Sequence, residues 1–205
     1  MSLVLASGSP RRRELLAALA LPYLVDPADI DESSAELDPV VLAEILALSK
    51  AREVARRRPD DIVIGSDTVV ALDGRLLGKP SDAAEARAML NDLRGRAHDV
   101  VTGVAVVGPG GIEAVAHSRT VVVMRAYADD ERDEFIARGE PFDKAGGYAI
   151  QDVAFHPVAR IEGCECGVMG LPLWTLRRLL IDAGVQAGVP ALDRCAGCPA
   201  RSEVP

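Results

Sequence analysis

Aromatic side chains are scarce in this sequence. Phe, Tyr and Trp together make up 3% of the residues, so the interior must be built from Ala, Val, Leu and Ile. Positive charge is in deficit as well: 23 Lys and Arg stand against 31 Asp and Glu, for a net charge of −8. That argues against a nucleic-acid polymer or an anionic membrane as partner, because both reward basic surfaces. A small anion stays compatible, since local charge decides its binding. Long apolar runs are missing. None approaches the ~20 residues of a membrane span, and no apolar run follows a basic start at the N-terminus. The expected location is the cytosol. No G-x-x-x-x-G-K-[ST] loop is present, so a P-loop reading has nothing behind it. Internal repeats are absent too. Cysteine is limited to Cys164, Cys166, Cys195 and Cys198. In a reducing cytosol these are not expected to form structural disulfides. Their spacing is C-x-C, 28 residues, then C-x-x-C. Four thiolates suffice for a tetrahedral zinc site; four unrelated thiols, two of them in a loose tail, is the other reading.

What is present fits a folded domain. Hydrophobic residues make up 49% of the 205, enough for one domain, or one domain with two lobes. The expected division is a domain over 1–183 and a Gly/Pro/Ala-rich tail over 184–205, partly disordered unless its cysteines pin it. The first stretch reads as a short strand from Leu3, then a break at Ser7-Gly8-Ser9, then a helix over 10–20. Ser9 suits the N-cap and Pro10 the first helical position. Arg11, Arg12 and Arg13 follow in the first turn, where the helix dipole disfavours cations. Either an anion sits at that turn, held by free N–H groups and guanidinium forks, or the arginines are merely solvated.

Further on, Asp26, Asp29, Asp31, Glu32, Glu36 and Asp38 form an acidic stretch. It reads as a solvated loop, or as a source of one metal-holding carboxylate. A helix is expected from Asp38-Pro39 to about Arg58, with Lys50 on its surface. In the strand over 62–72 the apolar run is broken in its middle by Gly65-Ser66-Asp67-Thr68, and β-branched residues continue the strand straight after Asp67. A carboxylate between two apolar segments is costly to bury unless paired or metal-bound, so Asp67 reads as functional rather than as a turn cap. Asp73-Gly74 signals a hairpin, and its return strand over 75–80 brings Lys79 back toward Asp67. Ser81 is expected to cap a helix over 82–93. A long hairpin pairs 97–107 with 112–124; His98 and His117 within it read as structural or exposed. A charged helix spans 128–138. Two glycines beside Lys144 mark a loop that lets a ligand approach, and Gln151 could read a base edge with its donor and acceptor. A last strand over 155–161 and a helix from Leu171 to about Ala183, anchored by Trp174, complete a mixed-sheet α/β or α+β fold.

Taken in order, these pieces resemble the Maf family of nucleoside triphosphate pyrophosphatases. The matching stretches are Ser7-Gly8-Ser9-Pro10-Arg11-Arg12, Asp31-Glu32-Ser33, Lys50-Ala51, Gly65-Ser66-Asp67-Thr68-Val69-Val70, Gly78-Lys79-Pro80, His98-Asp99-Val100-Val101-Thr102-Gly103-Val104, Asp143-Lys144-Ala145-Gly146-Gly147-Tyr148-Ala149-Ile150-Gln151 and Gly170-Leu171-Pro172. The resemblance implies an inosine-triphosphatase-like fold: a long mixed twisted sheet flanked by helices, with two lobes and a central cleft. It implies hydrolysis of a nucleoside triphosphate to monophosphate and pyrophosphate with Mg²⁺ or Mn²⁺, in a cytoplasmic homodimer. Asp67 would be the general base and Glu32 the second essential carboxylate, the two also holding the metal. Ser7, Arg12, Lys50 and Lys79 would bind phosphate; Arg11, Thr68 and Gln151 would bear on base choice. The Tyr-Ala-Ile-Gln form resembles the branch acting on dTTP, UTP and sometimes CTP. The alternative it leaves is a catalytically silent nucleotide-binding regulator of septum formation. One departure stands out. Gly163-Cys164-Glu165-Cys166-Gly167 replaces the family's usual Gly-Asp-Tyr-x-Asn, so one half of the cysteine set falls on a departure and the other on a tail outside the resemblance.

Overall fold

Leu3–Leu5 forms the first strand, β1, and Ser9 ends the connection that follows. Its hydroxyl accepts the Arg12 N–H at 3.5 Å, and Pro10 takes the first position of α1 (Pro10–Ala17). In this computed structural model, which describes residues 1–203, α1 is shorter than expected. Its continuation closes in tight turns, and Ala20 adopts a φ of 54°. β2 (Tyr23–Val25) follows, and after the acidic loop comes α2 (Pro39–Arg57), whose cap is Asp38 accepting the N–H groups of Val40 and Val41.

β3 (Ile62–Leu72) has the bounds expected of it and runs unbroken through Gly65-Ser66-Asp67-Thr68, where only the apolar pattern is broken. A ladder of backbone hydrogen bonds to β5 (Ala97–Gly108) carries the polar residues along the strand. Asp73 and Gly74 have φ of 50° and 78°, the left-handed pair that a two-residue hairpin needs. The return strand β4 (Arg75–Leu77) ends before Lys79. Asp82, not Ser81, caps α3 (Ala83–Leu93): its carboxylate accepts from Ala84 and Glu85, while Ser81 bonds the Glu85 carboxylate. β6 (Ile112–Met124), α4 (Asp129–Ala137) and β7 (Val158–Glu162) follow. The last strand begins later than expected, because Phe155 is buried in the turn before it. A short helix α5 (Glu165–Val168), unforeseen in the sequence, precedes α6 (Leu173–Asp182).

The sheet order is β2-β1-β3-β5-β6-β7, with β4 added on β3. β1 runs parallel to β2 and β3, and the other pairings are antiparallel. This is the mixed α/β sheet flanked by helices that the sequence led us to expect. One face carries α2, where Ala47, Ala51 and Val54 pack on Val4, Val63 and Ala105. The other face carries two groups. At one end Leu3, Leu5, Ile62 and Ile64 pack against α1 and α6. At the other end Val70, Leu72, Val100 and Val122 pack against α3, α4 and Phe155. Trp174 is the expected core anchor of the first group. No helix among the described residues is long and apolar enough to cross a membrane.

Strand pairing opens the cleft. β1 pairs with β3 only over Ile62–Ile64, and β4 only over Val70–Leu72. β5 holds the opposite edge from Val63 to Ala71. Gly65–Val69 therefore has no strand partner on the β1/β4 edge, and the cleft lies against that gap.

Candidate active site

The cleft has a volume of about 500 Å³, and Ser7, Arg11, Arg12, Glu32, Lys50, Asp67, Thr68, Lys79 and Gln151 all line it. Alternation along β3 divides them. Asp67 points to the α2 face; Ser66 and Thr68 point to the other.

On the α2 face, close packing sets the geometry. A Cβ added to Gly65 would lie 2.1 Å from the Ala47 carbonyl oxygen, and one on Gly103 would lie 2.2 Å from that of Ala43. The two glycines let α2 rest directly on the sheet. Lys50, expected on the surface, is instead 8% exposed and reaches Asp67. Its Nζ lies 2.5 Å from Asp67 Oδ1 and 2.6 Å from Glu32 Oε1. Burial works to raise the Glu32 carboxyl, but the hydrogen bond and charge of Lys50, helped by Lys79 and Arg12, hold it below the usual range. Of the six acids in the 26–38 stretch, Glu32 alone lines the cleft. Asp26 is taken by Arg57 and Arg58, whose hydrogen bonds lower its carboxyl to about 2. Asp31 accepts from the Ser33 N–H, Glu36 from those of Leu37 and Asp38, and Asp38 caps α2.

Arg12 dominates the other face. It donates from Nε to the Gly170 carbonyl at 2.9 Å, from Nη1 to Ser7 Oγ at 3.3 Å and from Nη2 to Thr68 Oγ1 at 3.4 Å. Thr102 spends its single hydroxyl proton on the Gly167 carbonyl at 2.7 Å, so Thr68 donates to Thr102 across the 2.9 Å between them. Arg12, Thr68, Thr102 and the Gly167 carbonyl thus form one directed chain. Burial lowers the Arg12 guanidinium below its usual value, with Asp67 and Glu32 opposing and Arg11 reinforcing. The Gly167 and Gly170 carbonyls were not anticipated. Gly170 has a φ of 107°, and a Cβ there would stand 3.2 Å from Arg12 Nε. Its glycine is the sequence signal that could have revealed it.

The remaining wall comes from the loop after α4. Arg11 Nη1 donates to Asp143 at 3.0 Å, and Lys144 Nζ lies 2.5 Å from the same carboxylate. Burial would raise the Asp143 carboxyl, but Lys144 and Arg11 hold it below the usual range. Gly146 and Gly147, both at positive φ, turn this loop so that Tyr148 faces the cleft. Buried His98 meets the Tyr148 hydroxyl through Nε2 at 2.7 Å, and Gln151 stands exposed at the margin. His117 bonds Glu44 away from the cleft. The lining carries five cations (Arg11, Arg12, Lys50, Lys79, Lys144) and three carboxylates (Glu32, Asp67, Asp143). A chain of net charge −8 therefore holds a cationic cleft, which is what an anionic ligand requires.

The four cysteines do come together. All are buried, with Cys166 Sγ 2.7 Å from Cys195 Sγ and Cys198 within hydrogen-bonding reach of Cys164. Among the described residues, no group of three or more His, Cys, Asp or Glu is already set out to hold a metal ion.

Comparison with known proteins identifies the family. A family model described as Maf-like protein matches residues 2–183. A dTTP/UTP pyrophosphatase of Thermomicrobium roseum is 54% identical over 192 residues, covering 93% of this chain and 88% of that protein. A dTTP/UTP pyrophosphatase of Moorella thermoacetica is 51% identical over 185 residues, covering 89% and 95%. Among solved structures, a nucleoside-triphosphatase / dITP/XTP pyrophosphatase of Mycobacterium abscessus overlaps at a TM-score of 0.43 and 23% identity, covering 62% of this chain and 76% of that one.

Proposed function

The chain belongs to the Maf family, and from that premise we propose that it hydrolyses the α–β anhydride of dTTP and UTP, releasing the nucleoside monophosphate and pyrophosphate. The observation that carries the reading is the pairing of opposites across one cleft. A buried lysine bridges two carboxylates on one wall, and a fixed arginine faces them from the other. Phosphoryl transfer needs positioning and charge neutralisation more than covalent chemistry from the protein. Arg12, held by Gly170, Ser7 and Thr68, meets phosphate oxygens without reorganising. Lys79 adds a second positive charge from beyond β4. Lys50 holds the Glu32 carboxyl below the usual range beside a polyanion and fixes Asp67 through Oδ1. The second Asp67 oxygen accepts the proton of the attacking water as the new P–O bond forms. The P–O bond of the α–β bridge breaks, and pyrophosphate leaves with its charge against Arg12 and Lys79. Tyr148, Gln151 and Thr68 line the part of the cleft left for the base, and Arg11, tied to Asp143, fastens the loop that carries Tyr148 and Gln151.

The site fits a divalent cation. Two carboxylates from different elements converge within hydrogen-bonding distance of a single cationic nitrogen, and oxygen pairs of that kind suit hard ions such as Mg²⁺ or Mn²⁺. Asp67 and Glu32 would hold it, and when bound it would supply further neutralisation of phosphate charge.

The test is product analysis of the full chain with each common triphosphate and Mg²⁺ or Mn²⁺. Monophosphate and pyrophosphate from dTTP and UTP are expected. Orthophosphate with a diphosphate product, or binding without turnover, would overturn the proposal. Asp67→Asn should lose nearly all turnover while still binding nucleotide; retained activity removes Asp67 from the base role.

A further inference from the structure

The cysteines play no part in that chemistry, yet the fold goes to some length to collect them. Cys164 caps α5 and Cys166 lies in its first turn. Cys195 and Cys198 flank a tight turn in the tail, closed by the Cys198 N–H on the Cys195 carbonyl at 3.3 Å. The four are between 0% and 5% exposed. Few other groups hold the tail down: over 184–202 the buried residues are Ala187, Pro190, Cys195 and Cys198. Polar contacts converge on the same place. Trp174 Nε1 donates to the Cys195 carbonyl at 2.9 Å, Arg194 pairs with Glu165 at 2.8 Å, and the Gly167 N–H points at Cys164 Sγ from 3.3 Å.

We propose that Cys164, Cys166, Cys195 and Cys198 form a tetrathiolate site for one zinc ion, which fastens the tail to the wall of the cleft. Four soft donors brought from two chain segments to one buried place match the ligand count and type of a closed, structural zinc site. The sulfurs stand close together. Cys166 and Cys195 stand 2.7 Å apart, whereas two sulfurs on one tetrahedral zinc are about 3.8 Å apart, given Zn–S of about 2.3 Å. Loading therefore moves the Cys195–Cys198 turn outward by about 1 Å. That turn follows a three-residue 3-10 segment (Asp193–Cys195) and belongs to no strand. The consequence reaches the cleft. Between Cys166 and α6 lie the Gly167 and Gly170 carbonyls that hold Thr102 and Arg12. Zinc binding steadies the segment from which Arg12 takes its direction, while no cysteine touches the cleft.

Zinc and thiols can be counted in one sample of the full chain. Purified without chelator or added metal, it should hold close to one zinc per chain by elemental analysis. Titration of its four thiols with an organomercurial should release that zinc in proportion. Refolding with Co²⁺ in place of Zn²⁺ should give the intense thiolate charge-transfer and long-wavelength bands of tetrahedral sulfur coordination. Cys195→Ser with Cys198→Ser should abolish all three signals, and trypsin should then cut after Arg194 and Arg201 more readily. An intact mass about 2 or 4 Da below that of the reduced chain would show disulfides instead and overturn the proposal. So would a metal-free protein that takes up no zinc when its thiols are reduced. Neither readout depends on triphosphate turnover, so this proposal and the pyrophosphatase reading can fail separately.

Discussion

Replacing Gly65 by Ala tests how the cleft is assembled, without touching a group proposed to meet substrate. Gly65 lies in β3 two residues before Asp67, directly under α2. The new Cβ would sit 2.1 Å from the Ala47 carbonyl oxygen, 2.8 Å from the Ala51 nitrogen and 2.9 Å from the Ala51 Cβ. Restoring an ordinary contact of at least 3.4 Å to that oxygen moves α2 off the sheet by about 1 Å. The obstacle is helix backbone, so no side-chain rotation relieves it. Overpacking of this kind costs about 1–3 kcal/mol, and a backbone clash belongs at the upper end. With a urea dependence of about 2 kcal/mol per molar, the unfolding midpoint should fall by about 1 M. The same displacement carries Lys50 away from Asp67 and Glu32. A misplacement of about 1 Å at a reacting centre can cost about a hundredfold in rate, so kcat/KM for dTTP should drop by that order. The assay pairs urea unfolding with initial rates at a temperature where circular dichroism shows the variant folded. Gly78→Ala is the control for stability: its Cβ would meet nothing within 4 Å and its φ is not left-handed. If Gly65→Ala unfolds at the parent midpoint and turns over at the parent rate, close approach of α2 does not set the Lys50–Asp67 geometry.

Two further predictions concern stability. His98 is buried, and that burial lowers its imidazole to about 4 from the ordinary 6.5, against the pull of Asp99. Protonation then favours the unfolded chain. The stability it contributes is complete above about pH 6.5 and is lost as pH falls toward 4, about 3 kcal/mol in all. Denaturation between pH 4 and 7 should show a steeper slope in the parent than in His98→Gln, and equal slopes would refute the assignment. Asp82→Ala removes the cap of α3 and should cost about 1 kcal/mol, a fall of about 2–4 °C in thermal midpoint. Ser81→Ala should lie within about 0.5 kcal/mol of the parent; the reverse order would restore Ser81 as the cap.

Local rules carried much of this protein. Apolar periodicity placed α2 and the β5–β6 hairpin, and cap and turn chemistry placed Ser9-Pro10 and Asp73-Gly74, because those preferences act over a few neighbouring residues. The ordered run of motifs pointed to the family, and the nine residues it singled out all line one cleft. Where two local signals competed, the reading slipped. Ser81 and Asp82 are both good caps, and only the helix register chooses between them. Gly65-Ser66-Asp67-Thr68 also offered a turn, but there the strand reading held, because β5 supplies the hydrogen bonds that keep it extended.

What sequence alone could not decide was anything set by contact between distant segments. Lys50 reads as a surface lysine within its own helix; it is buried because Gly65 and Gly103, on two other strands, let that helix rest on the sheet. Glu32 is one acid among six until the fold brings it alone to the cleft wall beside Lys50. The carbonyls of Gly167 and Gly170 carry no side-chain signal at all, yet they fix Thr102 and Arg12. The two cysteine pairs, separated by 28 residues, become one cluster only when the tail folds back beneath Trp174. Residue type set which chemistry each position could offer. Packing decided which of those groups meet, because burial and pairing are properties of the assembled surfaces and not of any one segment.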